Sequence, residues 1–253
     1  MKRYSDYDPF ARVYNQHWGN NFIPLVFPVL EENLLKYLPE GVKILDLCCG
    51  TGQLAGLLGD RGYAVTGLDG SEEMLRYARE NAPSAEFILA DARSFKLTED
   101  YPVVISTFDS LNHIMTLEEL TDTFRNVYSV LSENGIFFFD LNMAAGFRAN
   151  WHDEFSVIEE DTVCIQRSDF SPDNMSASFK TTIFTNDNGW QRSDITLTQK
   201  CYSEAEVISA LESAGFKEIL PCSYDVLKGL VKLTPDAGRA FFICEKPSTT
   251  LPQ

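Results

Sequence analysis

Residues 43–55, with the sequence KILDLCCGTGQLA, constrain the fold of this chain more than any other stretch. A short apolar run ends at Asp46, the chain turns through Gly50 and Gly52, and a helix-forming segment follows. Glycine lets the backbone of such a turn approach a ligand closely, and the free amides at the start of the helix can donate hydrogen bonds to that ligand. The stretch therefore predicts a strand, a turn and a helix that together bind a small charged ligand.

An alternation of strands and helices continues to about residue 142. Apolar runs and helical periodicity predict strands over 42–47, 64–69, 85–89, 103–108 and 136–141, and helices over 53–59, 71–81 and 117–131. Strands that alternate with helices form a parallel sheet that is covered on both faces. Ligands bind to such a sheet outside the carboxyl ends of its strands.

The periodicity changes near residue 143. From there to about residue 202 apolar and polar residues alternate, and Asp-Asn-Gly at 187–189 is typical of a hairpin turn. A helix after Ser203 and strands over 217–220 and 239–245 then restore the α/β pattern. We expect one ligand-binding domain formed by residues 1–142 and 203–247, and an antiparallel β insertion over residues 143–202 after the fifth strand.

Charge excludes several kinds of partner. The chain has 21 Lys and Arg residues against 37 Asp and Glu, a net charge of −16, and such a surface repels phosphate backbones and anionic membranes. No apolar run approaches the ~20 residues of a membrane helix, and the N-terminus lacks the apolar segment of a signal peptide. We expect a cytoplasmic protein that binds neither nucleic acid nor membrane, either as a monomer or as a homodimer.

A metal site is not expected. The six cysteines include no Cys-x-x-Cys pair, and the three histidines lack the spacing of metal ligands.

Carboxylates follow three of the predicted strands. Asp69, at the end of the second strand, can accept both hydroxyls of a ribose. Asp91, after the third, could accept from an adenine amino group. Asp46, after the first, would lie unfavourably beside a pyrophosphate and instead suits an ammonium. A polar segment at 106–113 follows the fourth strand. This charge pattern fits an amino acid joined to a nucleoside.

These residues resemble the class I S-adenosylmethionine-dependent methyltransferases, and the resemblance covers most of the chain. The first motif of that family is acid-x-Gly-x-Gly-x-Gly, which matches residues 46–52 except that Cys48 replaces the first glycine. We expect the backbone at Cys48 to need no positive φ. Residues 7–14 resemble the N-terminal helix that covers the cofactor in many small-molecule members.

The resemblance implies a doubly wound, Rossmann-like, mostly parallel seven-stranded sheet with helices on both faces, whose reversed seventh strand is 239–245. It implies S-adenosylmethionine as the cofactor. The cofactor-binding residues that it implies are Tyr14, Asp46, Cys48, Gly50, Gly52, Asp69, Gly70, Met74, Asp91, Ala92, Thr107 and Phe108.

The expected reaction is direct attack of an acceptor on the sulfonium methyl group. His113 and Asp109 follow the fourth strand, where an acceptor is expected, and either could orient it or remove its proton. A histidine that only packs or forms a hydrogen bond explains His113 equally well. The acidic chain and its insertion, interpreted as a lid, favour a small diffusible acceptor. The segment after the fourth strand lacks the Pro-Pro signature of adenine methylators.

Two alternatives share part of the pattern. An NAD-dependent oxidoreductase would use the same glycine turn and Asp69, but the Tyr-x-x-x-Lys pair common in one large group of these enzymes occurs only at Tyr224 and Lys228, too late in the chain. A protein that binds S-adenosylmethionine without catalysis would carry the same cofactor residues.

Overall fold

The computed structural model describes residues 5–225 and 227–248 of the chain. Its strands form two sheets. The main sheet contains β1 (Lys43–Leu47), β2 (Ala64–Asp69), β3 (Glu86–Leu89), β4 (Tyr101–Ser106), β5 (Leu131–Asn142), β10 (Glu218–Asp225), β11 (Gly229–Lys232) and β12 (Arg239–Glu245), and the second contains β6 (Glu154–Ile158), β7 (Thr162–Ser171), β8 (Ser176–Asn186) and β9 (Trp190–Lys200). The helices are α1 (Ala11–His17), α2 (Gly19–Asn33), α3 (Gln53–Gly59), α4 (Glu72–Asn81), α5 (Leu117–Val130), α6 (Ala144–Asn150) and α7 (Glu204–Ala214).

The main sheet has the strand order β11-β10-β12-β5-β4-β1-β2-β3. β1 to β5 are parallel to one another, whereas β12 runs antiparallel to both β5 and β10. The reversed C-terminal strand and the Rossmann-like fold are therefore confirmed. The predicted seven strands become eight, because β11 pairs with β10 and extends the edge. The segment Gly229–Lys232 was not predicted as a strand, because its sequence Gly-Leu-Val-Lys shows no clear alternation of polar and apolar residues.

Helices cover both faces of this sheet. Residues of α2 and α3 pack on one face in one apolar cluster, and residues of α5 and α7 pack on the other face in a second cluster. β5 lies between the two layers, because Phe138 belongs to the first cluster while Phe137 and Phe139 belong to the second, and all three are fully buried. A strand that is apolar on both sides is what a doubly covered sheet requires.

The second sheet is the antiparallel insertion that follows β5, with the order β6-β7-β8-β9. The turn at 187–189 joins β8 to β9 as predicted. Two features differ from the expectations. The periodicity change near residue 143 begins with the short helix α6, and the expected continuous alternation breaks at 159–161, where acidic residues form the turn between β6 and β7. The division of the chain into domains at residues 142 and 203 stays a prediction.

Among residues 5–225 and 227–248, none of the helices combines the length and the apolar character that a bilayer span requires.

Candidate functional site

A cavity of about 840 Å³ lies at the carboxyl ends of β1, β2, β3 and β4. Its second wall is the N-terminal segment, which contributes Tyr7, Phe10, Tyr14 and Trp18. Its third wall is the second sheet, from which Gln166, Ser168, Phe179, Thr196, Leu197, Thr198 and Gln199 line the space. The volume lies in the upper part of the range for small-ligand sites, roughly 300–1,000 Å³, so the cavity has room for two small ligands side by side.

Most of the predicted site residues meet in this cavity. The lining includes Tyr14, Cys48, Gly50, Asp69, Gly70, Met74, Asp91, Ala92, Phe108, Asp109 and His113. The predicted residues Asp46, Gly52 and Thr107 lie behind the wall and do not line the cavity. The structure therefore brings the predicted residues together, while the role of each in cofactor binding stays a prediction.

The glycine turn alternates between left-handed and ordinary backbone. Cys48, Gly50 and Gly52 have φ values of 61°, 55° and 79°. The expectation that Cys48 needs no positive φ is therefore wrong. The turn requires a left-handed residue at this position whichever side chain is present, and Cys48 adopts it at a cost of roughly 1–2 kcal/mol for an L-residue. Its side chain packs against the core cluster that contains β1 and β4.

Gly52 has a structural role. It precedes α3, and a methyl group at its Cα would lie 2.8 Å from the Cα of Ala78 in α4. The close approach of α3 and α4 thus depends on the missing side chain.

Asp69 is oriented by the turn that it faces. Its Oδ2 accepts a hydrogen bond from the amide of Gly50 at 2.9 Å, and its Oδ1 accepts from the amide of Ser71 at 2.9 Å. Burial raises the pKa of Asp69, although these hydrogen bonds lower it in part. Each oxygen keeps a lone pair for a hydroxyl of the ligand. The geometry fits the predicted contact with a ribose diol.

Asp46 is a buried carboxylate with an unused acceptor. It is 2% exposed, and its Oδ2 has no hydrogen-bond partner among the described residues. Burial, with a smaller contribution from Asp69, raises the pKa of Asp46 to about 8. A buried carboxylate of this kind costs free energy unless a donor or a cation compensates it. An ammonium group in the adjoining cavity fits this requirement.

Asp91 is held by its neighbour Arg93. The guanidinium donates to both carboxylate oxygens, with distances of 2.7 Å from Nη2 to Oδ2 and 2.9 Å from Nε to Oδ1. Burial favours a higher pKa for Asp91, but the hydrogen bonds from Arg93 outweigh it and lower the pKa. An adenine amino group would therefore share this carboxylate with Arg93.

His113 has both ring nitrogens engaged. Nδ1 lies 2.8 Å from the carbonyl oxygen of Thr198, which can only accept, so we assign the proton to Nδ1. Nε2 then faces two donors, the hydroxyl of Tyr7 at 2.8 Å and Nε2 of Gln199 at 3.2 Å. Burial lowers the pKa of His113 and favours this neutral form. The neutral imidazole can accept a proton at Nε2 once the hydroxyl of Tyr7 turns away and the longer contact from Gln199 is lost.

Asp109 is fixed by an ion cluster that the sequence analysis did not predict. Its Oδ1 lies 2.7 Å from Nη2 of Arg239, and its Oδ2 accepts from Nε2 of Gln199 at 2.7 Å. The fully buried Asp140 also binds Arg239 and accepts from the amides of Phe108 and Asp109. Burial opposes the charge of Arg239, but the two carboxylates raise its pKa.

This cluster holds Phe108 and Asp109 in left-handed backbone, with φ values of 72° and 48°. Because Asp109 already binds two donors, orientation suits it better than proton removal. One sequence signal for the cluster existed, namely an acid inside the apolar run of β5. The partners Arg239 and Gln199 had none, since they lie 130 and 90 residues from Asp109.

The N-terminal segment joins the main sheet to the second sheet. On one side Asn15 accepts hydrogen bonds from Gln53 at 2.8 Å and Asn81 at 2.7 Å, next to the glycine turn. On the other side Arg12 binds Asp161 at 2.5 Å and Asp187 at 2.9 Å in two turns of the second sheet. The segment therefore bridges the two sheets along one wall of the cavity.

Of the four insertion residues Trp151, Arg167, Trp190 and Arg192, which carry aromatic or basic side chains, only Trp151 lines the cavity.

Comparisons with known proteins identify relatives over most of the chain. A family model described as a methyltransferase domain matches residues 44–135. YqeM of Bacillus subtilis, a protein named as a methyltransferase, is 32% identical over 220 residues, which cover 84% of this chain and 87% of YqeM. A dTDP-3-amino-3,4,6-trideoxy-alpha-D-glucopyranose N,N-dimethyltransferase of Streptomyces venezuelae is 37% identical over 82 residues, which cover 32% of this chain and 35% of that enzyme.

Solved structures share the fold. An S-adenosylmethionine-dependent methyltransferase from Clostridium acetobutylicum superposes with a TM-score of 0.71 at 20% identity, and the match covers 96% of this chain and all of the other.

Proposed function

This chain belongs to the class I S-adenosylmethionine-dependent methyltransferases, and from that premise we propose that it methylates a small molecule bound beside the cofactor. The observation that carries this proposal is the cavity itself, which has walls from the N-terminal segment and the second sheet as well as from the main sheet. A nucleic acid would require an open basic groove, whereas this chain carries a net charge of −16. The relative that methylates a sugar nucleotide agrees with a small acceptor.

The cofactor is S-adenosylmethionine, and family membership sets aside both alternatives, the NAD-dependent oxidoreductase and the binding protein without catalysis. We assign the ribose to Asp69, the methionine ammonium to the side of the cavity next to Asp46, and the adenine to the region of Met74, Asp91 and Ala92. Two observations support this assignment. The Oδ2 of Asp46 lacks a hydrogen-bond donor among the described residues, and the amides of Gly50 and Ser71 orient the carboxylate of Asp69.

S-adenosylmethionine supplies an activated methyl group, so the protein mainly has to align the acceptor and exclude water. We propose that residues 143–202 act as the lid that does so. Gln166, Phe179 and Gln199 of this insertion line the cavity opposite the strand ends. Asp109 orients the acceptor through its fixed carboxylate, and Nε2 of His113 accepts a proton where the acceptor has to lose one.

The cofactor assignment is tested by calorimetric titration with S-adenosylmethionine and S-adenosylhomocysteine, with NAD as the control. We expect micromolar binding of the first two and none of NAD. Asp69→Ala loses at least tenfold in affinity, about 1.4 kcal/mol, while Asp60→Ala, an exposed change at the end of α3, leaves affinity unchanged. Equal affinity of both variants contradicts the assignment of Asp69.

The acceptor class is tested with tritium-labelled S-adenosylmethionine and a cell extract divided by size. We expect label in the low-molecular-weight fraction. Label confined to RNA or to protein overturns the small-molecule proposal, whereas the cofactor assignment survives.

A further inference from the structure

We propose that the acceptor side of the cavity is built for an amine-bearing molecule that donates hydrogen bonds, and that it rejects carboxylates and phosphates. This inference rests on the proposed small-molecule function and names the substrate class. It is carried by two independent features, namely the charge of the cavity as a whole and the surplus of hydrogen-bond acceptors on the wall opposite the strand ends.

The charge of the cavity is negative. Six of the described lining residues are acids: Asp6, Asp69, Asp91, Asp109, Asp153 and Glu154. Arg93 is the one lysine or arginine that lines the cavity within residues 5–225 and 227–248, and its guanidinium is bound by Asp91 and Glu119. Arg239 lies behind Asp109 and is bound by two carboxylates. An anionic acceptor would therefore find no cation to pair with and would lose its hydration.

Three hydrogen-bond donors on the acceptor side are already used. The hydroxyl of Tyr7 donates to His113, the amide nitrogen of Gln199 donates to Asp109, and the hydroxyl of Ser168 donates to the carbonyl of Asp153. A carboxylate or phosphate in this region would need such donors to be free. The wall therefore offers an anion no unpaired cation, and it withholds the donors of Tyr7, Gln199 and Ser168.

Hydrogen-bond acceptors are left over. Gln199 lines the cavity, is 2% exposed, and its Oε1 has no donor among the described residues. Its orientation is fixed, because the carboxylate of Asp109 requires the NH₂ group on its own side. The Oε1 of Gln166, on the same sheet, also lacks a donor in the described part of the chain. Buried acceptors of this kind favour a ligand that brings N–H or O–H groups.

An amine fits the chemistry of the neighbouring side chains. In the transfer a bond forms between the amine nitrogen and the methyl carbon, and the bond from that carbon to sulfur breaks with its electron pair remaining on sulfur. The surplus proton of the nitrogen passes to Nε2 of His113. The oxygen of Tyr7, 2.8 Å away, can then accept from the protonated ring when its own hydroxyl rotates. Charges and atoms balance without another reactant.

The test uses matched pairs that differ in one group, 6-amino-6-deoxyglucose with glucuronate and cyclohexylamine with cyclohexanecarboxylate. Binding to the full-length protein saturated with S-adenosylhomocysteine is measured by ligand-detected NMR, so that the readout does not depend on turnover. We expect each amine to bind at least about tenfold more tightly than its acid. Release of S-adenosylhomocysteine from S-adenosylmethionine, with the amines as acceptors, is the second readout.

A charge variant makes the test sharper. Gln166→Lys places an ammonium in the acceptor wall and is expected to remove or reverse the preference. Gln191→Lys adds the same charge to an exposed position on β9 outside the cavity and is expected to preserve it. Comparing the two separates a local effect in the cavity from a change in net charge.

Preference for the acids, equal binding within each pair, or binding of neither member at millimolar concentration overturns the inference, as does an unchanged preference in Gln166→Lys. Methylation of the acids leaves the proposed small-molecule function standing and removes only the amine class. Methylation confined to RNA or protein removes both.

Discussion

At the scale of single residues, positions in the glycine turn differ in what they require of the residue. Some require only a left-handed backbone, and one also requires the absence of a side chain. Cys48 and Gly50 need a left-handed backbone but have space for a side chain, since a methyl group on Gly50 would come no closer than 3.6 Å to Tyr14. Gly52 needs both the backbone and the missing side chain, because Ala78 lies against it. Position 48 can therefore hold a cysteine, whereas position 52 requires glycine.

Two alanine substitutions distinguish these demands. We expect Gly52→Ala to lower the free energy of unfolding by about 3 kcal/mol, because a left-handed alanine and a backbone clash add together. Gly50→Ala is expected to cost about 1 kcal/mol, from the backbone alone. Urea unfolding followed by circular dichroism measures both. Similar losses in the two variants would mean that α3 and α4 separate at little cost.

Asp46 makes stability depend on pH. Its pKa is about 8 in the folded protein and about 3.9 in an unfolded chain. Between these values the folded state holds one more proton, so the free energy of unfolding falls as pH rises, by about 1.4 kcal/mol per pH unit, and levels off above pH 8. We expect thermal midpoints measured from about pH 5 to pH 8 to fall more steeply for the natural chain than for Asp46→Asn. Parallel profiles would show that Asp46 is ionised throughout.

The sequence predicted the strand-end side of the site better than its acceptor side. Asp69, Gly50, Asp91 and Phe108 could be placed because each follows a strand, and strand ends of a parallel sheet meet. The ion cluster of Asp109 could not be predicted, because its members come from β5, β9 and β12 and only tertiary pairing brings them together. The backbone at Cys48 was predicted wrongly because side-chain identity was taken as a guide to φ.

At the scale of elements, α1 connects the glycine turn to the second sheet beside the cavity. It has seven residues, too short for stability on its own, and depends on contacts to the glycine turn and to the second sheet. Its buried Val13 packs against Cys164 and Ile183 of the second sheet, and polar contacts from Arg12 and Asn15 add to this packing.

Breaking one of these contacts should accelerate ligand release. We expect Arg12→Gln, which loses the pairs with Asp161 and Asp187, to raise the dissociation rate of S-adenosylhomocysteine roughly fivefold, since partly exposed pairs contribute about 1 kcal/mol in total. Stopped-flow fluorescence of Trp18 and Trp151, which line the cavity, measures the rate. Arg76→Gln on α4, whose partners Glu73 and Glu80 lie on the same helix, is the control. Equal rates in the two variants would mean that α1 does not limit release.

Elements with a strong local signal were predicted closely. α7 begins after Ser203 with a complete capping box to Glu206, and α4 begins after Ser71, whose hydroxyl accepts from the amide of Met74. β11 and α6 were missed because their short sequences carry little periodicity. Local rules thus predicted where elements begin, and they were weakest for the short elements.

At the scale of the whole molecule, the net charge of −16 opposes the folded state through self-repulsion. Salt screens charges over about 10 Å at 0.1 M. We therefore expect added sodium chloride to raise the thermal midpoint at pH 7. Each kcal/mol of charge repulsion that the salt removes should raise the midpoint by about 2–4 °C. Near pH 4.5, the isoelectric point of the sequence, the rise should disappear. The same increase at both pH values would identify a salt effect unrelated to net charge.

The position of β12 in the sheet also determines the order in which the protein can be completed during translation. β12 pairs with β5 on one side and with β10 on the other, so β10 and β11 have no partner in the rest of the sheet until residues 239–245 have left the ribosome. The nascent chain carries β5, with its row of phenylalanines, at an open sheet edge for the whole of that time, and open apolar edges are where aggregation begins. A ribosome that stalls shortly before residue 239 would therefore release a fragment that is prone to aggregation, and not an enzyme that is only slightly shortened.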